Sequence, residues 1–138
     1  MKQEDKDLLL NDLCGRLPYG VKYECSDIKN IWKLNAILTK RHDDGVFLDI
    51  YNPLDLCKPY LFPLSSMTEE QKEELENLGW YFDNFEINNV NECIGTYREY
   101  VAHLDCFVLI DWLNKNHFDY RGLIEKSLAI DATNLGIY

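Results

Sequence analysis

The apolar residues of this chain change their spacing near residue 20, from a helical period to an alternating one, which requires a mixture of helices and strands. Residues 4–14 carry leucines on one side and acids in the first turn, and this predicts an amphipathic helix that Gly15 ends. Pro18 interrupts the helical pattern. Three alternating runs within 21–51 then predict an antiparallel meander, which could curl into a small SH3-like barrel.

The segment 52–67 contains three X-Pro steps, which withhold backbone donors, and it is nevertheless rich in apolar side chains. We expect a connection that lies across the body of the protein, with an edge strand as the alternative. Before it, the Asp44-Gly45 dipeptide is typical of a hairpin turn.

Thr68 and Gln71 have the spacing of a capping box, and the two residues between them are acidic. This predicts a helix that runs to Leu78 and ends at Gly79. Farther along, residues 81–87 could form a strand with a turn in it, and the segment that follows allows either helix or strand.

Residues 104–114 are apolar on most sides, which predicts a helix in the centre of the body. Asp119 is positioned to cap a last short helix over 120–128. The predicted fold class is therefore α+β, with an N-terminal helix, a small antiparallel β-meander and a C-terminal helical half. The length of 138 residues predicts a single domain over 1–138.

Composition excludes several classes of function. The net charge of -10 opposes non-specific binding to a nucleic-acid backbone. No apolar run approaches the roughly 20 residues of a membrane span, and the first ten residues lack a signal-peptide pattern. Five cysteines without a CxxC pair indicate free thiols, a reducing compartment and neither a zinc site nor a redox motif. We therefore expect a cytoplasmic protein with no membrane association, metal or cofactor.

One group of side chains resembles a reactive site: His103, Asp111, His117 and Asp119. A metal-assisted hydrolase would need three such groups to converge, and their spacing does not require this. Capping and hydrogen bonding are the alternative roles. The chain has no GxSxG motif and no glycine-rich phosphate loop, which argues against a serine hydrolase and a nucleotide-dependent enzyme.

The aromatic content of 13% is high, and Tyr and Trp are enriched at binding hot spots. We predict a proline-aromatic patch in which residues 58–64 meet residues 118–121. The candidate binding residues are Tyr51, Tyr60, Phe62, Phe118, Tyr120 and Arg121. The alternative is that these rings fill a shallow core beneath the sheet.

Several short sequence motifs are similar to those of a known family: LPYG at 17–20, KPYLFPLSSMTEEQ at 58–71 and HFDYRGLIEK at 117–126, with DWLN at 111–114 and LAI at 128–130. Together they resemble a family of small uncharacterised proteins that are common in gut Bacteroides genomes and their phage-like elements. The resemblance implies a bacterial or phage cytoplasmic setting and supplies no catalytic residues.

The function predicted from these observations is a non-enzymatic binding module that contacts a protein partner. Two alternatives stay open at this point. One is the metal-assisted hydrolase of the C-terminal half, and the other is an acidic decoy that occupies a nucleic-acid-binding protein. The sequence predicts neither the identity of the partner nor the oligomeric state.

Overall fold

The computed structural model of the protein describes residues 1–39, 45–83, 86–89 and 99–138, and over 99–105 it describes the backbone alone. The helices in these ranges are α1 (Gln3–Arg16), α2 (Glu69–Asn77) and α3 (Glu99–Lys115). Short 3-10 turns occupy Leu17–Tyr19, Leu54–Leu56 and Leu64–Ser66.

The described strands form three small sheets. They are β1 (Lys22–Cys25), β2 (Ile28–Lys33), β3 (Ile37–Thr39), β4 (Val46–Leu48), β5 (Asn52–Pro53), β6 (Cys57–Pro63), β7 (Trp80–Asp83), β8 (Glu86–Asn89), β9 (Phe118–Asp119) and β10 (Ile130–Asp131). The largest sheet has the order β10-β6-β1-β2, and β9 also pairs with β6. The other sheets are β3-β4-β5 and β7-β8. The α+β class is confirmed, whereas the SH3-like barrel is not.

The predicted meander is divided between two sheets, because the chain turns between β2 and β3. The backbone N–H of Leu34 donates to the carbonyl of Val21 at 2.9 Å. The Asp49 carboxylate accepts from the backbone N–H groups of Asn35 and Ala36 at 2.8 and 3.0 Å. These bonds replace a continuous ladder, so β2 pairs with β1 while β3 pairs with β4. The predicted Asp44-Gly45 turn depends on residues 40–44, which lie outside the described residues.

Strand β6 lies in the interior of the largest sheet. The prediction that segment 52–67 forms a connection or an edge strand is therefore wrong for residues 57–63. The strand pairs with β1 in the antiparallel direction and with β10 and β9 in the parallel direction. The prolines of β6 are tolerated because other residues of the strand make the backbone hydrogen bonds to the neighbouring segments. The backbone N–H of Phe62 donates to the His117 carbonyl at 2.8 Å, and the carbonyl of Leu61 accepts from Ala132 at 2.8 Å.

Helix α1 continues through Gly15 and ends at Arg16, so the prediction that Gly15 ends it is wrong. A Cβ added at Gly15 would lie 3.1 Å from the side-chain nitrogen of Asn114 on α3. The glycine therefore permits a close approach of the two helices. The chain changes direction farther on, at Gly20, whose φ is 63°.

Helix α2 begins where predicted and ends at Asn77, one residue before the predicted Leu78. Thr68 Oγ1 accepts from the backbone N–H of Gln71, and the Gln71 side chain accepts from the backbone N–H of Thr68. Gly79 follows the helix with a φ of 93°. The strands β7 and β8 then pair in the antiparallel direction, in agreement with the strand structure expected over 81–87. Residues 84–85 lie outside the described residues.

Helix α3 contains the predicted helix over 104–114 but does not lie in the centre of the body. The Phe107 side chain is 72% exposed, and Val108 and Ile110 are also exposed. Among the described side chains of α3, over 106–115, the buried ones are Trp112, Leu113 and Asn114, near the C-terminal end. Apolar composition alone did not identify the buried side of α3, because apolar side chains occupy both sides of the helix. Helix and strand were both possible up to residue 104; residues 99–104 are helical and belong to α3, whereas residues 90–98 lie outside the described residues.

The predicted short helix over 120–128 is replaced by consecutive turns. The N–H of Lys126 donates to the Gly122 carbonyl, whereas the N–H groups of Leu128 and Ala129 both donate to Leu123. These two bonds pull the chain out of the helical path and into β10.

Two clusters of buried side chains form the described core. The first joins α1, β1, β4 and β6 around Leu9, Leu13 and Leu61. The second joins α2, β7, α3 and β9 around Leu75, Trp112 and Phe118. Within the described ranges no helix is long and apolar enough to cross a bilayer.

Candidate functional site

Two segments far apart in sequence meet where β9 pairs with β6. Phe62 is the register partner of Phe118, and Pro63 is the partner of Asp119. The predicted meeting of residues 58–64 with residues 118–121 is therefore present in the fold.

A cleft of about 360 Å³ lies at this junction. Pro63, Leu64 and Ser65 line one side, and the turn of residues 119–125 lines the other. Pro63, Leu64, Tyr120 and Ile124 are half-buried, so their apolar surfaces are accessible within the cleft. The volume lies within the range of known ligand sites, which begins at about 300 Å³. We refer to this feature as the 63–125 cleft.

The carboxylate of Asp119 organises one side of the 63–125 cleft. Its Oδ1 accepts from the backbone N–H groups of Leu123 at 3.0 Å and Arg121 at 3.3 Å. Its Oδ2 accepts from the backbone N–H of Ile124 at 2.8 Å. These bonds are the capping role expected from the sequence, although the structure that is capped is a turn.

Tyr120 is held by a hydrogen bond at its hydroxyl group and by two guanidinium groups close to its ring. Its hydroxyl donates to the Asn114 side-chain oxygen at 2.9 Å. The guanidinium carbons of Arg16 and Arg121 each lie 5.3 Å from the ring centroid, a distance at which a cation and an aromatic ring attract one another. The ring therefore presents a fixed surface to the cleft.

A buried ion pair supports this arrangement from α1. Asp12 and Arg16 are both fully buried, with Arg16 Nε donating to Asp12 Oδ2 at 2.7 Å and Nη2 to Oδ1 at 3.0 Å. Arg16 Nη2 also donates to the carbonyl of Phe118 at 2.6 Å, and Arg121 Nε lies 3.5 Å from Asp12 Oδ1. Asp12 and Arg16 were not among the predicted site residues, although the four-residue spacing of opposite charges on a helix could have indicated them.

The predicted binding residues divide into buried and accessible ones. Tyr60 is 6% exposed and donates its hydroxyl proton to Glu24, while Phe118 is 1% exposed and stacks on Trp112 at a centroid distance of 5.7 Å. Both rings are part of the interior and do not present a surface to a partner. For these two residues the structure agrees with the alternative that the aromatic rings fill the core. Tyr51 is 80% exposed, in the segment between β4 and β5 and outside the cleft lining.

The accessible members of the predicted patch lie at or near the cleft. Tyr120 lines it, Arg121 is exposed beside it, and Phe62 is half-buried in a second hollow of about 280 Å³. Leu64 and Ile124 line the cleft and were not among the candidates. Leu64 follows Pro63 within the apolar segment and could have been included, whereas Ile124 gave no signal because its position depends on the turn that replaced the expected helix.

His117 and Asp111 have separate surroundings. The imidazole of His117 stacks on the Tyr138 ring at a centroid distance of 3.8 Å. Its pKa is lowered to about 4, first by burial and then by the charges of Arg16 and Lys22. Asp111 is exposed, and it adds to the burial effect that raises the pKa of Tyr19.

The candidate reactive groups are therefore not assembled by the part of the chain that the structure describes. Asp119 is bonded to the backbone, and His117 is a neutral ring at neutral pH. The side chain of His103 lies outside the described residues. Among the described side chains, no three from His, Cys, Asp and Glu are placed to share a metal ion.

Comparisons of this chain with protein-family models, curated proteins and solved structures each find no match. No function is therefore transferred from a relative.

Proposed function

We propose that this chain is a non-enzymatic, cytoplasmic binding module that holds a protein partner at the 63–125 cleft. The observation that carries the proposal is the accessible apolar surface that Pro63, Leu64, Tyr120 and Ile124 present around one concave site. Partner side chains that insert into such pockets supply most of the affinity in many protein interfaces.

The rigidity of the cleft supports the same function. Asp119 fixes the turn through three backbone bonds, and Asn114 fixes the ring of Tyr120. A surface that is ordered before binding loses little conformational entropy when a partner arrives. The bonding of Asp119 also gives that carboxylate a structural role in place of the catalytic one considered above.

The experiment compares charged substitutions inside and outside the cleft. Leu64→Asp and Ile124→Asp place a carboxylate in the apolar lining, whereas Ile31→Asp changes an exposed residue of β2 that is not part of the lining. Each tagged variant is used to capture proteins from a Bacteroides extract, a host suggested by the sequence resemblance. We expect each cleft variant to weaken binding of the captured partner by about tenfold or more, the effect of a hot-spot residue, and Ile31→Asp to leave it unchanged.

Photo-crosslinking locates the contact directly. A photoreactive amino acid at position 124 should form a discrete crosslink to the partner, and the same group at position 31 should not. Circular dichroism establishes that each variant is folded. Folded cleft variants that bind with native affinity, or equal crosslinking from both positions, would contradict the proposal.

Salt dependence separates this function from the acidic decoy. Contacts in an apolar cleft tolerate added salt, whereas attraction between exposed charges is screened over about 8 Å at physiological ionic strength. We expect the partner to remain bound when the salt concentration is raised severalfold. Loss of binding under those conditions would favour the decoy.

A further inference from the structure

Cys25 and Cys57 face each other across the central sheet. They are register partners in the antiparallel pairing of β1 with β6, and their Sγ atoms lie 3.2 Å apart. Their side chains are buried, at 3% and 1% exposure. We propose that Cys25 and Cys57 form a reversible redox site, which closes into a disulfide that joins β1 to β6.

The backbone geometry suits this bond. Directly opposed residues of an antiparallel pair have Cα separations of about 4.5–5.5 Å, and disulfides span Cα separations of about 4.4–6.8 Å. The two sulfur atoms therefore need to approach by about 1 Å, without a rearrangement of the strands. The β1–β2 register shifts between Glu24 and Cys25, so β2 does not hold Cys25 in a regular ladder.

The surroundings of the pair distinguish it from the other described cysteines. Cys14 and Cys106 are exposed thiols, whereas Cys57 Sγ contacts both Cys25 Sγ and the carbonyl oxygen of Pro53, the latter at 3.1 Å. Burial raises the pKa of the Cys57 thiol, and the hydrogen bond with Cys25 adds to this effect. Since the thiolate is the reacting form, oxidation is slow and favours a small oxidant that can enter the core.

The reaction balances with a peroxide as the oxidant. One of the two sulfur atoms attacks an oxygen atom of hydrogen peroxide. An S–O bond forms and the O–O bond breaks, which yields a sulfenic acid, and the departing hydroxide takes the thiol proton to give one molecule of water. The second sulfur atom then displaces the hydroxyl group, which leaves with a proton as a second molecule of water. The two thiols lose two electrons and two protons in total, and the peroxide is reduced. A dithiol reductant reverses the reaction by exchange.

The disulfide would close a large part of the chain into a loop. The two cysteines are 32 residues apart, and the segment between them carries β2, β3, β4 and β5. A crosslink over such a distance restricts the unfolded chain and so stabilises the folded one. For a protein of this size, the expected rise in the midpoint temperature of unfolding is about 10 °C.

The test uses the full chain with Cys14→Ser, Cys93→Ser and Cys106→Ser, which leaves only the proposed pair. The reduced protein is kept overnight with hydrogen peroxide, unfolded, alkylated with iodoacetamide and weighed by mass spectrometry. We expect the loss of two hydrogen atoms, no alkylation, and full recovery of two alkylation sites after dithiothreitol. The oxidised protein should also unfold at the higher temperature given above.

The matched control adds Cys57→Ser to the same background, and it should show neither an internal disulfide nor the rise in unfolding temperature. Should the serine background fail to fold, peptide mapping of the oxidised native chain tests for the same Cys25–Cys57 link. Two alkylatable thiols after overnight oxidation, overoxidation of both sulfurs, crosslinks only between molecules, or a lower unfolding temperature of the oxidised form would each overturn the proposal.

Discussion

At the scale of single residues, Asp12 and Arg16 form an ion pair inside the protein, one turn apart on α1. The pair contacts β9 through the Phe118 carbonyl and reaches the cleft through the ring of Tyr120. Two charges without access to water are tolerated because they bond to one another, so the loss of one partner is costly.

We predict that Arg16→Met lowers the free energy of unfolding by about 3 kcal/mol, because the buried Asp12 carboxylate loses both hydrogen bonds from Arg16 and keeps only Arg121, 3.5 Å away, as a counter-ion. The matched control is Lys6→Met, which removes the partly exposed ion pair between Lys6 and Asp55, 3.1 Å apart. That change should cost less than about 1 kcal/mol. Urea titration measures both values, and equal effects would contradict the structural role of the buried pair.

His117 makes stability depend on pH. Its pKa is about 4 in the folded protein and 6.5 in the unfolded chain, so between these values the unfolded chain binds a proton that the folded protein does not. The stabilisation is complete above pH 6.5 and is lost as the pH falls toward 4, by up to about 3 kcal/mol.

The variant His117→Asn isolates this effect. Asparagine tolerates the positive φ of 61° at this position and does not titrate. Urea midpoints measured between pH 7 and pH 4 should fall more steeply for the native protein than for the variant. Parallel curves would show that His117 titrates alike in the folded and unfolded states.

At the scale of secondary structure, α2 shows how much short-range chemistry specifies. Its beginning depends on Thr68 and Gln71, and its end on Gly79, all within one or two turns of the helix itself. The Glu74 carboxylate also accepts from the indole N–H of Trp112 at 3.2 Å, which joins α2 to α3. The boundaries were predictable from sequence, whereas the contact with α3 was not.

We predict that Thr68→Ala lowers the free energy of unfolding by about 1 kcal/mol, because the backbone N–H of Gln71 loses its acceptor. Thr68→Ser retains an oxygen at the same position and should restore most of the loss. Urea titration of the three proteins makes the comparison. A serine variant as unstable as the alanine variant would indicate that the cap is not the cause.

Strand β6 shows the limit of local reasoning. Its prolines favoured a connection or an edge strand, yet it lies between β1 and β10 and also pairs with β9. The bonds that make it central come from residues such as His117 and Ala132, more than 50 positions away along the chain. Helix α3 shows the same limit, since its sequence is apolar on two sides and only its neighbours decide which side is buried.

At the scale of the whole molecule, two adjacent residues of β6 pack in different clusters of buried side chains. Leu61 belongs to the first cluster, and Phe62 packs against the second. A strand shared in this way couples the two clusters, since neither can lose its packing without disturbing the other.

We predict from this coupling that the chain unfolds in one cooperative transition, as expected of a single domain. Trp80 and Trp112 lie in the second cluster, so the variant Trp32→Phe reports on that cluster by fluorescence. Its fluorescence transition in urea should coincide with the transition seen by far-ultraviolet circular dichroism. Two separated midpoints would show that the clusters unfold independently.

Residues close in sequence determined the α+β class, the boundaries of α2, the strand β1 and the capping role of Asp119, because a cap or an alternating pattern acts over a few positions. The meeting of residues 58–64 with 118–121 was also expected, since both segments carry apolar surface that water disfavours. Tertiary structure alone decided that Tyr60 and Phe118 are interior, that Arg16 is buried and that Cys25 faces Cys57. These features depend on which distant segments become neighbours, and burial and pairing are properties of that arrangement rather than of any one segment.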